Sequence, residues 1–84
     1  MSSALERGLG ILELMVTHPA GLPVSRIAAL LDMPVSGVHR QLKELARLGY
    51  VRQAREQGDY LLSVKLSALG LSFLGRSGVT DIAQ

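Results

Sequence analysis

Residues 33–48 read MPVSGVHRQLKELARL, and the fold turns on this stretch. Wound at 3.6 residues per turn, it brings Ser36, Arg40, Lys43 and Arg47 within an arc of roughly 60°. Val38, Leu42 and Leu45 fall on the opposite side. One face is therefore apolar and suited to a core, and the other carries three cations and a hydroxyl, with His39 beside them. Pro34 suits the first helical turn, where its missing N–H costs nothing, and it pushes Met33 out of helical geometry. Gly49 suits the end of the helix. An ordinary amphipathic surface helix would show a charged outer face too, so the neighbours on both sides have to decide.

Upstream, Leu22-Pro23-Val24 reads as a short extended segment, a minor strand. Ser25 to Leu31 reads as a short helix with Ile27, Leu30 and Leu31 buried and Ala28 small enough for another helix to approach. Leu31-Asp32-Met33-Pro34 is a tight turn in which Asp32 tolerates a left-handed backbone, though less cheaply than glycine. A short helix, a tight turn and a second helix with a polar outer face follow at the spacing of a helix-turn-helix. Downstream the period changes from that of a helix to that of a strand: Tyr50-Val51-Arg52-Gln53-Ala54 alternates, Glu56-Gln57-Gly58-Asp59 turns, and Tyr60-Leu61-Leu62 returns. A hairpin after such a helix reads as a wing, with Arg52 and Arg55 on or near its tip. The alternative is a hairpin whose arginines serve solubility.

The ends complete the plan. Ser3-Ala4-Leu5-Glu6 has capping-box spacing, which predicts a helix from about Ala4 to Thr17. Leu5, Leu9, Leu12 and Val16 form one apolar stripe on it, and Ile11, Leu14 and Met15 a second, so this helix is expected to be covered on more than one side. His18, beside Pro19, reads as a helix C-terminal residue favoured by the dipole rather than as a ligand or base. Ser63 to Ser77 reads as a helix with Leu66, Leu69, Phe73 and Leu74 on its apolar side. Gly75 to Gly78 reads as a linker, and Thr80 to Gln84 as the cap of a further helix. The expected fold is mostly α with a small β-hairpin: a winged helix-turn-helix with a three-helix core, a wing and a C-terminal linker helix. The domain is expected over 3–65, with the helix-turn-helix at about 24–48 and the wing at about 50–62. Residues 66–84 are expected to form the linker helix and the start of a connection.

Eighty-four residues suffice for one such domain. The chain is 48% hydrophobic but only 4% aromatic, so the core must be built from Leu, Val, Ile and Ala. With no cysteine, disulfides and thiolate metal sites are excluded, a composition compatible with the cytosol. Charges interrupt every apolar run before it could span a bilayer, and residues 1–10 lack a signal-peptide pattern, so no membrane is expected. The net charge is +2, yet between Val35 and Arg55 five cations face Glu44 alone, a local +4 on a chain otherwise net negative. Such a patch fits an anionic partner such as nucleic acid. Catalysis is not expected. His18 and His39 are a whole helix apart, and there is no cysteine, glycine-rich phosphate loop or apolar pair of carboxylates.

The runs SALERGLGILELM and SRIAALLDMPVSGVHRQLKELARLGYV, with the hairpin carrying Gly58 and Tyr60, resemble the N-terminal winged helix-turn-helix domain of IclR-family transcription regulators. The resemblance covers Ser3 to Leu74 and is most specific from Leu31 to Arg40, followed by Leu42, Leu45, Gly49 and Tyr50. It implies a DNA-binding domain of a dimeric or tetrameric regulator on partly palindromic operators. It also implies a small-molecule effector bound by a larger C-terminal domain that this chain does not contain, so no cofactor is expected here. Three positions depart from the pattern: Val35 for a polar or basic residue, Gly37 for Thr or Ser, and Asp32 for Gly. Val35 exchanges a phosphate contact for apolar contact with a thymine methyl. Gly37 loses a hydroxyl and weakens the helix by up to ~1 kcal/mol.

Roles follow from position. Arg40, at the centre of the exposed arc, is the candidate for bidentate contact to guanine. Ser36 is placed to meet a base or phosphate. His39 either donates to a base edge or phosphate or packs partly buried. Lys43 and Arg47, further along, are expected at phosphate. Ser25 and Arg26 open the preceding helix, where backbone N–H groups favour an anion. A protein-interaction module without DNA binding is the alternative, against which the basic arc argues. The apolar surplus on the first and last helices predicts a homodimer on an inverted-repeat operator; the alternative is that the surplus meets the missing domain.

Overall fold

In the computed structural model, which describes residues 3–56 and 58–77, the helices are α1 (Ala4–Val16), α2 (Val24–Leu31), α3 (Val35–Arg47) and α4 (Val64–Ser77). Between α3 and α4, β1 (Val51–Gln53) and β2 (Tyr60–Leu62) form an antiparallel hairpin with Val51 opposite Leu62 and Gln53 opposite Tyr60. This is the winged helix-turn-helix expected from the sequence.

Local chemistry sets each boundary. The Ser3 hydroxyl accepts from the Glu6 amide at 3.1 Å and the Glu6 carboxylate accepts from the Ser3 amide at 2.8 Å, closing the capping box on α1. At the other end His18 Nδ1 lies 3.2 Å from the Leu14 carbonyl oxygen, at the C-terminus of α1. Asp32 is left-handed at φ 54°, its amide donates to the Ala28 carbonyl, and the Met33 amide donates to the same carbonyl at 2.9 Å. That turn sets α2 against α3. Pro34 is the N-cap of α3, with an extended ψ of 144°, rather than a residue of its first turn. Gly49, at φ 92°, takes the left-handed position that ends α3 and turns the chain into β1. The Leu22 amide and carbonyl pair with those of Tyr60, so the short segment before α2 adds a bridge to β2.

The core lies where α1, α2 and α3 meet under the hairpin. Ile11, Met15, Ile27, Val38 and Leu42 are its most buried side chains, joined by Leu12, Leu22, Ala28, Leu45, Val51 and Tyr60. The expected inner face of α3, Val38, Leu42 and Leu45, is buried as read. On α2 the expectation fails at Leu30, which is 45% exposed, while Ala28 takes the buried position. On α1 the core face is Gly8, Ile11, Leu12 and Met15; of the first apolar stripe only Leu12 is buried, and Leu5, Leu9 and Val16 face outward. A Cβ on Gly8 would lie 3.1 Å from the Gln41 side-chain oxygen of α3, tight enough that this side chain would have to give way.

α4 runs through Gly75 and Arg76 to Ser77 instead of giving way to a linker at Gly75. Leu69, Leu71 and Phe73 are exposed on it, and Leu66 and Leu74 are half-buried. Gly78 and the expected cap at Thr80 to Gln84 lie outside the described residues, as does Gln57 in the wing turn.

Candidate nucleic-acid interface

Because Val38, Leu42 and Leu45 are held in the core, the opposite side of α3 must face solvent, and Ser36, His39, Arg40, Lys43 and Arg47 are all exposed. They form a ridge flanked by two hollows. One, of about 550 Å³, lies between α3 and the wing and is lined by Ser25, Val35, His39, Lys43, Gln53 and Glu56 among others. The other, of about 240 Å³, lies on the α1 side and is lined by Arg7, Met33, Ser36, Gly37, Arg40 and Gln41 with Pro34. The helical period accounts for the division: Val35, His39 and Lys43 succeed one another at i+4 along one flank, and Ser36 and Arg40 along the other.

The cations of the ridge are not equivalent. Arg47 donates from Nε and Nη2 to the two carboxylate oxygens of Glu44 at 3.0 and 2.7 Å, a bidentate pair one turn apart on the open surface. That hydrogen bond, aided by the charge of Arg47, holds the Glu44 carboxyl below its ordinary value and outweighs slight desolvation. The same bond raises Arg47. Arg40 and Lys43 have no ion pair among the described residues. The positive field of the ridge is thus centred on Arg40 and Lys43, with Arg47 already engaged.

The remaining expected residues divide. Ser25 joins the wing-side hollow, whereas Arg26, exposed in the first turn of α2, lines neither hollow. Gly37 has room beside it: a Cβ would meet Pro34 Cγ at 3.6 Å and Met33 Cε at 3.9 Å, ordinary contacts, so a residue with a hydroxyl would fit. The wing arginines are less well placed than the sequence suggests. Successive strand residues alternate faces. Val51 points into the core, so Gln53 shares its side and faces α3 across the hollow, and Arg52 projects from the other face, opposite Leu61. Arg55 is exposed in the turn, where its carbonyl accepts from the Gly58 amide at 2.8 Å.

Three residues of this surface escaped the sequence reading. Gln53 faces α3, with its amide nitrogen donating to the Gly58 carbonyl at 3.1 Å. Its signal was available: two residues past a buried valine on a strand means the same face. Glu56 brings a negative charge to the same hollow. Arg7 reaches the α3 side from α1, and four residues before the buried Ile11 is the spacing that places it on that flank.

Comparison with known proteins bears on this arrangement. The IclR helix-turn-helix domain family matches residues 4–55. The crystal structure of an IclR family transcriptional regulator from Brucella abortus superposes with a TM-score of 0.78 at 33% identity, over 89% of this chain and 28% of that one. An uncharacterized HTH-type transcriptional regulator of Haemophilus influenzae is 33% identical over 83 residues, 99% of this chain and 31% of that protein. The DNA-binding transcriptional repressor YiaJ of Escherichia coli is 35% identical over 82 residues, 98% of this chain and 29% of that protein. The chain thus spans about a third of the length of the relatives it matches. The family's domain covers more than half of the residues, including both helices of the turn, and the chain belongs to the IclR helix-turn-helix family.

Proposed function

We propose that this chain is the sequence-specific DNA-binding domain of a transcription regulator, and not an enzyme. α3 enters the major groove of duplex DNA, with Arg40 bidentate to guanine, Ser36 and His39 at base edges or phosphate, and Lys43 on the backbone. Val35 makes apolar contact at the groove wall, and Gly37 lets the backbone approach. Ser25 and Arg26 take phosphate at the opening of α2. The wing reaches the backbone or minor groove with Arg55, with Arg52 contributing charge from its outer face. Arg47 reaches phosphate only by leaving Glu44. The DNA-binding unit is residues 3–65, and 66–84 connect it onward. The protein works in the cytoplasm; no described helix is long and apolar enough to cross a membrane. A small-molecule effector acts through a domain outside this chain. The observation that carries the reading is the α3 ridge: one face locked in the core by Val38 and Leu42, the other open and basic between two hollows.

Outward-facing Leu5, Leu9 and Val16 on α1 and Leu69, Leu71 and Phe73 on α4 support a two-fold dimer. Such a dimer presents two copies of α3 to an inverted repeat with half-sites ~34 Å apart or a multiple of that.

Titration of a random duplex at 50 and 200 mM salt tests the DNA reading. Four phosphate contacts predict an affinity loss of roughly a hundredfold across that range. A protein-interaction module would show no salt-sensitive binding. Sedimentation at several concentrations tests assembly. A monomer at high micromolar concentration, with no preference for paired over single half-sites, would remove the dimer.

A further inference from the structure

Leu48, at the end of α3, and Lys65, at the start of α4, are 17 residues apart in sequence, yet they are tied together. Lys65 Nζ, from the first turn of α4, donates to the Leu48 carbonyl at 2.7 Å. The same ammonium sits 4.8 Å from the centroid of the Tyr50 ring. The Ser63 hydroxyl donates to the Gly49 carbonyl, and the Ser63 amide donates to the Tyr50 carbonyl at 2.9 Å. The Lys65 stem lies over Gly49: a Cβ at residue 49 would stand 3.4 Å from Lys65 Cδ. A cation is thus held on the carbonyl of Leu48, the C-cap of α3, where the helix dipole favours positive charge.

Lys65 itself is exposed, so its bond to Leu48 lies outside the core. α4 is otherwise lightly held, with Leu66 and Leu74 its half-buried apolar residues. We infer that Lys65 is a positioning residue that makes the direction of α4 and the seating of α3 one mechanical unit. A movement of α4 is then felt at the C-terminal end of α3, and seating of α3 on DNA is felt in α4. The second half rests on the proposed reading of α3 as the DNA-facing helix; the first half does not. Such coupling is reciprocal by thermodynamic necessity.

The test uses the whole chain, which has no cysteine to interfere. Spin labels at Glu13→Cys on α1 and Leu71→Cys on α4, both exposed positions, report the distance between the body and α4. Lys65→Met keeps the stem and removes the ammonium; Lys65→Arg keeps a donor that also stacks on tyrosine. Without DNA, the expected distribution is narrow in the parent and in Lys65→Arg, and broad in Lys65→Met, with the docked fraction relative to undocked falling on the order of tenfold. With saturating duplex, the parent distribution narrows further and that of Lys65→Met does not. Thermal melts establish that each variant is folded. Identical distributions for parent and Lys65→Met without DNA would overturn the inference. So would equal narrowing of both on duplex. Absence of salt-sensitive DNA binding by the parent would overturn the reading of α3 and the DNA half of the coupling, and the DNA-free distributions would still decide the junction.

Discussion

Leu42→Ala tests the orientation of α3, on which every assignment at the ridge depends. Leu42 is 0% exposed and sits among Val38, Leu45 and the inner faces of α1 and α2. The change removes three carbons from a site with no water contact. At about 0.8 kcal/mol per buried methylene, the transfer term alone is about 2.4 kcal/mol. An unrelaxed cavity adds to this, for a total of about 2–5 kcal/mol. A chain of 84 residues has about 4–13 kcal/mol in all, so the loss is a large fraction of its stability. In a domain of this size each kcal/mol moves Tm by roughly 4–8 °C, so calorimetry should show Tm lower by at least about 10 °C. Leu30→Ala is the internal control. The sequence reading places Leu30 in the core, but it is 45% exposed, and its truncation should cost no more than about 1 kcal/mol. A Leu42→Ala melt unchanged from the parent would mean that α3 is rotated and that the basic ridge is not where it is described, whereas an equally large loss from Leu30→Ala would place Leu30 of α2 in the core.

Arg40→Ala is expected to cost about 1–3 kcal/mol on a preferred duplex and much less on random duplex, whereas Lys43→Ala should weaken both alike; competition binding compares them, and equal losses for Arg40→Ala on the two DNAs would remove its base-reading role. Glu44→Gln is expected to free Arg47 for phosphate, raising DNA affinity at low salt and steepening the salt slope by about 0.9; an unchanged slope would show that Arg47 stays off the backbone. The same pair gives a pH dependence. The Glu44 pKa is depressed in the folded state, so its stabilising pairing is complete above the unfolded value and is lost as pH falls through the folded value. Acidification below the ordinary carboxylate range should therefore release Arg47 in the parent and leave Glu44→Gln indifferent to that change.

The helix-turn-helix was legible because its signals are local and agree with one another. The capping box at Ser3, the left-handed Asp32, the glycine after α3 and the switch of period at Tyr50 each act within a few residues, and each is realised in place. The apolar side of α3 was legible for the same reason: a polar helix with a single apolar stripe has one way to dock. The ridge followed by subtraction. The wing was legible as a hairpin, but the facing of its residues depends on which strand position the core captures. Once Val51 is captured, Arg52 must turn away and Gln53 must face α3. A reading that counted charges chose the arginines, whereas a reading that counted alternation from the buried valine chooses the glutamine. Arg7 follows from helical spacing once Ile11 is known to be buried, whereas Glu56 depends on the tertiary approach of the wing turn to α3, which no local rule encodes.

α1 shows why apolar content alone could not settle packing. Two apolar stripes run along this helix, Leu5, Leu9, Leu12 and Val16 on one and Ile11, Leu14 and Met15 on the other. The structure buries Ile11 and Met15 of the second and Leu12 of the first, with Gly8 beside them. A glycine contributes nothing to a hydrophobic pattern, but it sets how near a neighbouring helix can come, and helices that approach closely put more atoms within reach of dispersion. Ile11 and Met15 are fully enclosed, and Gly8 lies where α1 meets the Gln41 side chain of α3. The cost is paid at the edge of the same interface: Leu5, Leu9 and Leu48 are left lining an apolar cleft of about 320 Å³ between α1 and α3. Leu5 and Leu9 thus lie along the cleft between α1 and α3, away from the core. Gly8→Leu would be expected to displace the Gln41 side chain and fill part of that cleft, because its Cβ would start 3.1 Å from the Gln41 side-chain oxygen and Gly8 lines the cleft.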